Sequence, residues 1–280
     1  MKLIKNKTFD EERALYNLVD STVKNCTFAG PADGESVLKE TRNVVVDGCR
    51  FALRYPLWHA KVYTLKDSVL DETTRAPIWY SDDGKIVGSK IFGVKALREC
   101  HDTTIDDCEI VSPEFGWKTA NTRMTKSKLA SEYAFFDSKN VFLENVEFNG
   151  KYSFQYVENL EIINCNLDTK DAFWHSKNVT VKNSVVKGEY LAWFSEGLTL
   201  ENCKIIGTQP LCYCKDLKLI DCEMVDCDLS FEYSDVDATV KGFVQSIKNP
   251  RSGKICVDEV GEIIRENAVF ESNAVIVLKK

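Results

Sequence analysis

Glu99, Lys118, Asp137, Tyr156 and His175 follow one another at every nineteenth position. Phe194 and Tyr213 continue the series at the same interval, and Tyr80 and His59 precede it, with the step between those two lengthened to 21. These are side chains that could do chemistry if a fold gathered them on one face. Glu99 and Asp137 would serve as a general acid and general base, and His175 would carry a proton near neutral pH. Lys118, Tyr156, His59, Tyr80, Phe194 and Tyr213 would hold a ligand. Two of the chain's 3 histidines, His59 and His175, belong to this series. Other signatures are missing: there is no Gly-x-Gly-x-x-Gly, no P-loop and no Gly-x-Ser-x-Gly.

A constant spacing gathers such residues only if the chain closes one coil in each interval. A short phrase with the same period runs through the sequence. It reads Asn25-Cys26-Thr27-Phe28, Asp107-Cys108-Glu109-Ile110, Asn164-Cys165-Asn166-Leu167 and Asn202-Cys203-Lys204-Ile205. With the small second residue as anchor, anchors fall at 7, 26, 49, 68, 89, 108, 127, 146, 165, 184, 203 and 222. Nine of the eleven steps have the length of the opening series, and the others are 23 and 21. The residue before the anchor is Asn, Asp or Gly everywhere except at Lys126. Apolar residues at −3 and +2 flank it in every repeat.

Apolar positions with period 2 on each side of a polar residue mark two half-buried strands. Asn, Asp and Gly tolerate the left-handed conformation that a sharp bend needs. A third apolar segment lies at +7 to +11, as in Ala172-Phe173-Trp174-His175-Ser176, and a second corner follows at +13, at Asn121, Asn140, Asn159 and Asn178. The pattern predicts an all-β chain: a parallel β-solenoid of about twelve coils over residues 1–235, three strands to the coil. Residues 236–280 are predicted to form a C-terminal β cap of the same domain, with a hairpin turning at Asn249-Pro250-Arg251-Ser252-Gly253. Insertions are expected at Gly30–Glu35 and Asp71–Arg75.

The repeat resembles the right-handed β-helix of the pectin-lyase-like superfamily, including its Asn-lined corner. Within that superfamily it resembles an uncharacterised bacterial family of compact, single-stranded β-helix proteins. The resemblance spans residues 1 to about 240 and implies the fold, with no activity attached. A leucine-rich repeat is excluded by the absence of its Leu-x-x-Leu-x-Leu phrase, and a left-handed β-helix by the absence of a six-residue sub-period.

On this frame the opening series is position +10. Small residues at +11 and polar residues at +10 favour +9 inward and +10 outward. Glu99 and Asp137 then stand two coils apart, roughly 9.6 Å by strand spacing, at the upper edge of the separation an inverting glycosidase uses. Lys118 between them could equally neutralise both. Three readings compete: binding of a small carbohydrate-like ligand, a scaffold for a protein partner or a homo-oligomer, and a glycoside hydrolase, lyase or sugar isomerase using Glu99, Asp137 and His175. The coils are too short for long cleft-forming loops, and no carboxylate cluster suits the calcium of a pectate lyase.

The 280 residues are 44% apolar and 28% charged, an ordinary soluble composition. A net charge of −7 offers no basic patch for nucleic acid or anionic membrane. No signal-peptide-like or membrane-spanning apolar run is present, so the expected location is cytoplasmic. Of the 11 cysteines, Cys26, Cys49, Cys108, Cys165, Cys203 and Cys222 occupy the anchor, and Cys100 and Cys214 occupy +11. They read as reduced, small core residues. A zinc site from Cys212, Cys214, Cys222 and Cys227 lacks paired knuckles on turns. No metal or cofactor is expected.

Overall fold

The computed structural model describes residues 1–30 and 35–279. Among these residues there is no helix; the chain is a right-handed parallel β-solenoid of about fourteen coils. It comprises two compact units, one Met1–Phe142 and the other beginning at Leu143.

Each coil carries a six-residue strand followed by a shorter one. In the first unit these are, for example, His101–Asp106 and Glu109–Val111. In the second they are Lys177–Lys182 and Val185–Lys187. Successive coils pair parallel and in register, His101 opposite Ala120 and Lys177 opposite Glu196. The bend between the strands is the predicted one. Every residue before an anchor is left-handed, from Asn6 at φ 53° to Asp221 at 54°, Lys126 included at 49°. The +13 positions are left-handed too, and their amides stack into ladders. Asn140 donates to Asn121 at 2.8 Å, and Asn121 to Asp102 at 2.8 Å.

The anchor residues point inward, and hydrogen bonding explains why they are Ser or Cys. The Cys49 amide donates to the Ser68 hydroxyl at 3.0 Å, and that hydroxyl donates to the Lys66 carbonyl at 2.7 Å. Cys165 and Ser184 repeat the arrangement at 2.9 Å. The anchor thus satisfies an amide that the bend would otherwise leave buried and unpaired. The core between the strands is a set of stacked side chains. Phe9, Phe28 and Phe51 lie ring on ring at 5.3 and 4.7 Å in the first unit. Phe154 and Phe173 do so at 5.3 Å in the second.

The third side departs from expectation. It is a strand only at Leu57–Trp58 and Ile78–Trp79. Elsewhere it is a path on which alternate residues are left-handed: Asp171, Phe173 and His175 have φ of 50°, 63° and 54°. Alternation of handedness abolishes the two-residue period, so side chains leave in pairs. Positions +7, +8 and +11 go inward, while +9 is half-buried and +10 faces out. The expectation of +9 inward is thus corrected, while +10 outward holds. Left-handed Phe and His cost about 1–2 kcal/mol each. Neighbouring coils hold them by taking their amides: Phe173 donates to the Ser153 carbonyl of the coil before, and His175 to the Trp193 carbonyl of the coil after.

The tail is also corrected. Asp235–Lys248 and Ser252–Ile264 pair parallel, Asp235 opposite Ser252, so the predicted hairpin does not form. Asn249-Pro250-Arg251 closes a shortened coil instead of reversing the strand. Val275–Leu278 then pairs parallel with Lys254–Val257. Of the two expected insertions, Pro31–Gly34 lies outside the described residues. The other is a compact turn in which the Asp71 carboxylate accepts from the Thr73 amide at 3.1 Å and its hydroxyl at 2.6 Å.

Candidate functional site

The +10 column is left-handed at every member of the series, from His59 at φ 55° to Tyr213 at 60°. This conformation aims the side chains away from the core. In the first unit, His59 Nδ1 lies 2.8 Å from the Glu40 carboxylate, and Tyr80 stacks on Trp79 at 5.0 Å. The Glu99 carboxylate leans toward Arg98, 3.7 Å from its Nε. Lys118 and Asp137 are exposed, and among the described residues neither has an ion-pair partner. Lys118 therefore does not neutralise the two carboxylates beside it.

In the second unit the column is an aromatic stack. Tyr156 lies on His175 at 5.0 Å and 10°, His175 on Phe194 at 5.1 Å and 8°, and Phe194 on Tyr213 at 4.8 Å and 19°. Tyr156 is 49% exposed and Phe194 45%. Each ring covers the face of the next, so the edges meet solvent, and with them the phenol hydroxyls and the imidazole nitrogens. A sugar cannot lie flat on such a ladder; it can hydrogen-bond along it. Of the three residues expected to serve catalysis, Glu99 and Asp137 fall in the first unit and His175 in the second.

All 5 tryptophans occupy +9. Trp174 and Trp193 stack at 5.5 Å and 5°, and their indole N–H groups donate to the Tyr190 and Gln209 carbonyls of the following coil. These rings brace the +10 column from the side.

Among the described residues, no group of three or more His, Cys, Asp or Glu is arranged to hold a metal. Ten of the 11 cysteines are buried and all are free thiols. Burial pushes the Cys49 and Cys108 thiols up to about 11 and the Cys100 thiol to about 12.

Residues 2–278 match the family described as "Protein of unknown function (DUF3737)". The chain belongs to the DUF3737 family. No curated protein matches it. This DUF3737 chain is similar in architecture to PfbA, a surface adhesin of Streptococcus pneumoniae, at 9% identity and TM-score 0.37, over 82% of this chain and 72% of that one. It is similar to the A-module of the Azotobacter vinelandii mannuronan C-5 epimerase AlgE4 at 8% identity and TM-score 0.30, over 97% and 88%. Likenesses at this level say nothing about activity, so the DUF3737 site stands on its own geometry.

One feature was missed in the sequence: a trough of about 450 Å³ in the second unit, beside the short strands Asn166–Asp168, Val185–Lys187 and Lys204–Ile206. Its floor is Thr169, Gly188 and Gly207 at position +4. The signal was a run of small residues at that position, beginning at Gly93, Ser112 and Ser131.

Proposed function

We propose that this protein is a rigid, non-catalytic binding scaffold whose +10 face takes a carbohydrate-like ligand. The observation that carries the reading is the exposed column itself. It sets hydrogen-bonding groups on a one-coil repeat: edge-on Tyr156, His175 and Tyr213 in the second unit, and Lys118 and Asp137, without ion-pair partners among the described residues, in the first. A hydroxyl-rich chain lying along the coils would meet donors and acceptors in turn. Catalysis asks for walls that exclude water around the reacting groups. The +10 column is a ridge, which favours binding over a hydrolase, lyase or isomerase role for Glu99, Asp137 and His175. The free buried thiols suit a reducing compartment, and the cytoplasm is the location this reading takes.

The test is thermal-shift and calorimetric screening against neutral oligosaccharides and sugar phosphates. A true ligand at a hundred times its Kd stabilises by about 2.7 kcal/mol. The shift should disappear in Lys118→Ala, Asp137→Ala and His175→Ala. A flat response across the panel overturns the reading. A second reading, a scaffold for a protein partner or a second copy, is favoured by Phe194, an apolar ring 45% exposed within the stack. It predicts a stable oligomer or complex whose formation is lost in Phe194→Ser.

A further inference from the structure

The trough in the second unit is chemically different from the +10 ridge, and its reading is independent of the carbohydrate one. Its two walls are ion pairs running in opposite senses. On one side the Lys187 ammonium meets the Asp168 carboxylate of the coil before at 3.2 Å. On the other the Lys170 ammonium meets the Glu189 carboxylate of the coil after at 3.1 Å. Both pairs are self-satisfied. The floor is bare because the coils leave no room for side chains there. A Cβ on Gly207 would stand 2.2 Å from the Gly188 carbonyl oxygen, and one on Gly188 2.5 Å from that of Thr169. Ile206 adds an apolar patch.

Two carboxylates are left over. Asp171, next to Lys170, is only 8% exposed, and among the described residues its carboxylate has no hydrogen-bond or ion-pair partner. It stands within electrostatic reach of both Lys170 and Glu189, which places it at the trough wall. A buried carboxylate without a partner is costly, and a donor from outside would relieve that cost. Asp226 lines the trough, is exposed and has no ion-pair partner among the described residues. It belongs to the coil anchored at Cys222 and Asp171 to the coil anchored at Cys165, three coils earlier. Three coils span about 14 Å. With Asp171 counted, four carboxylates face two ammonium groups, so the local field favours a cation.

We propose that this trough binds a linear aliphatic polyamine, its terminal ammonium groups on Asp171 and Asp226 and its methylene stem over Gly188, Gly207 and Ile206. An extended tetraamine has the reach for the two carboxylates. The paired walls repel neither end and supply no second anion to compete.

The experiment is titration of the full chain with spermine by calorimetry at physiological salt. The expected result is one saturable site. Asp171→Asn and Asp226→Asn should each weaken it at least fivefold, while Glu11→Gln, an exposed carboxylate in the other unit, should leave it unchanged. Lys187→Gln frees the Asp168 carboxylate and should tighten binding at least threefold, a gain that misfolding cannot mimic. Binding that Glu11→Gln weakens as much as Asp171→Asn, or that has no defined stoichiometry, is attraction to an acidic protein and overturns the proposal. So does silence with spermine while a neutral oligosaccharide binds here and is lost in Asp171→Asn.

Discussion

Substitution at Lys118 separates the handed path of the third side from an ordinary strand by the sign of the effect. Lys118 is exposed, has φ 54° and has no ion-pair partner among the described residues, so few contacts are lost when it is replaced. A non-glycine residue in this conformation costs about 1–2 kcal/mol. Lys118→Gly removes that cost and adds about 0.5–1 kcal/mol through the greater freedom of the unfolded chain. The net expectation is stabilisation by roughly 0.5–1 kcal/mol. Lys118→Val puts a β-branched side chain where it fits worst and should destabilise by about 1 kcal/mol or more. In a strand both signs reverse, because Val is favoured and Gly disfavoured there. At about 2.1 cal/mol/K per residue, unfolding 280 residues has an entropy near 0.6 kcal/mol/K, so 1 kcal/mol shifts Tm by about 2 °C. Calorimetry resolves that difference, and urea titration gives the free energies directly. A Val variant more stable than the Gly variant would refute the conformational argument.

Other consequences can be measured alongside. Phe173→Ala empties a fully packed position and removes the stack on Phe154, so it should cost about 3–5 kcal/mol in urea unfolding, whereas Phe173→Leu should cost less than half of that. In the folded protein iodoacetamide should label Cys256 alone, because the other thiols are buried and Cys214 and Cys227 are pushed up to about 11 and 12; mass spectrometry before and after denaturation checks this. Burial lifts the Asp171 carboxyl, so the folded state keeps that proton to higher pH than the unfolded state, and stability falls as pH rises through that interval. Asp171→Asn should therefore be more stable than the parent near neutral pH, with the advantage fading as pH falls below the ordinary carboxylate range. Arg251 holds the Asp235 carboxyl below its usual value, so that pair contributes above the ordinary carboxylate range and is lost as pH falls through the lowered one. Asp235→Asn should cost about 1 kcal/mol at pH 7 and nothing in strong acid.

The bends and the interior were legible because single residue types mark them. Asn, Asp and Gly before the anchor fix the left-handed corner, and Lys126 adopts it only because the coils on either side impose it. Anchor Ser and Cys were legible as small inward residues; their hydrogen bonds to the neighbouring coil were not, since size and polarity give the same pattern. The third side misled because Phe, Trp, Leu and His are strand-formers, and nothing local announces that Phe173 and His175 are left-handed. Their amides are claimed by the coils before and after, and that tertiary demand overrides propensity. The tail misled for a related reason. Asn-Pro-Arg-Ser-Gly is good hairpin chemistry, but the edge left by the preceding coil offered Ser252–Ile264 a parallel partner. The +10 series could be placed on one outward column from spacing alone. The trough could not, because its charges cancel in pairs and leave no composition signal.

Because each coil repeats the contacts of the one beneath it, the chain's natural unit of change is a whole coil. An in-frame duplication or loss of one complete repeat between His101 and Thr125 would leave every surviving strand beside an equivalent neighbour. An offset of one residue would turn the interior outward over the altered coil. Lineages built on this plan can lengthen or shorten a recognition surface in discrete steps while its local chemistry stays the same.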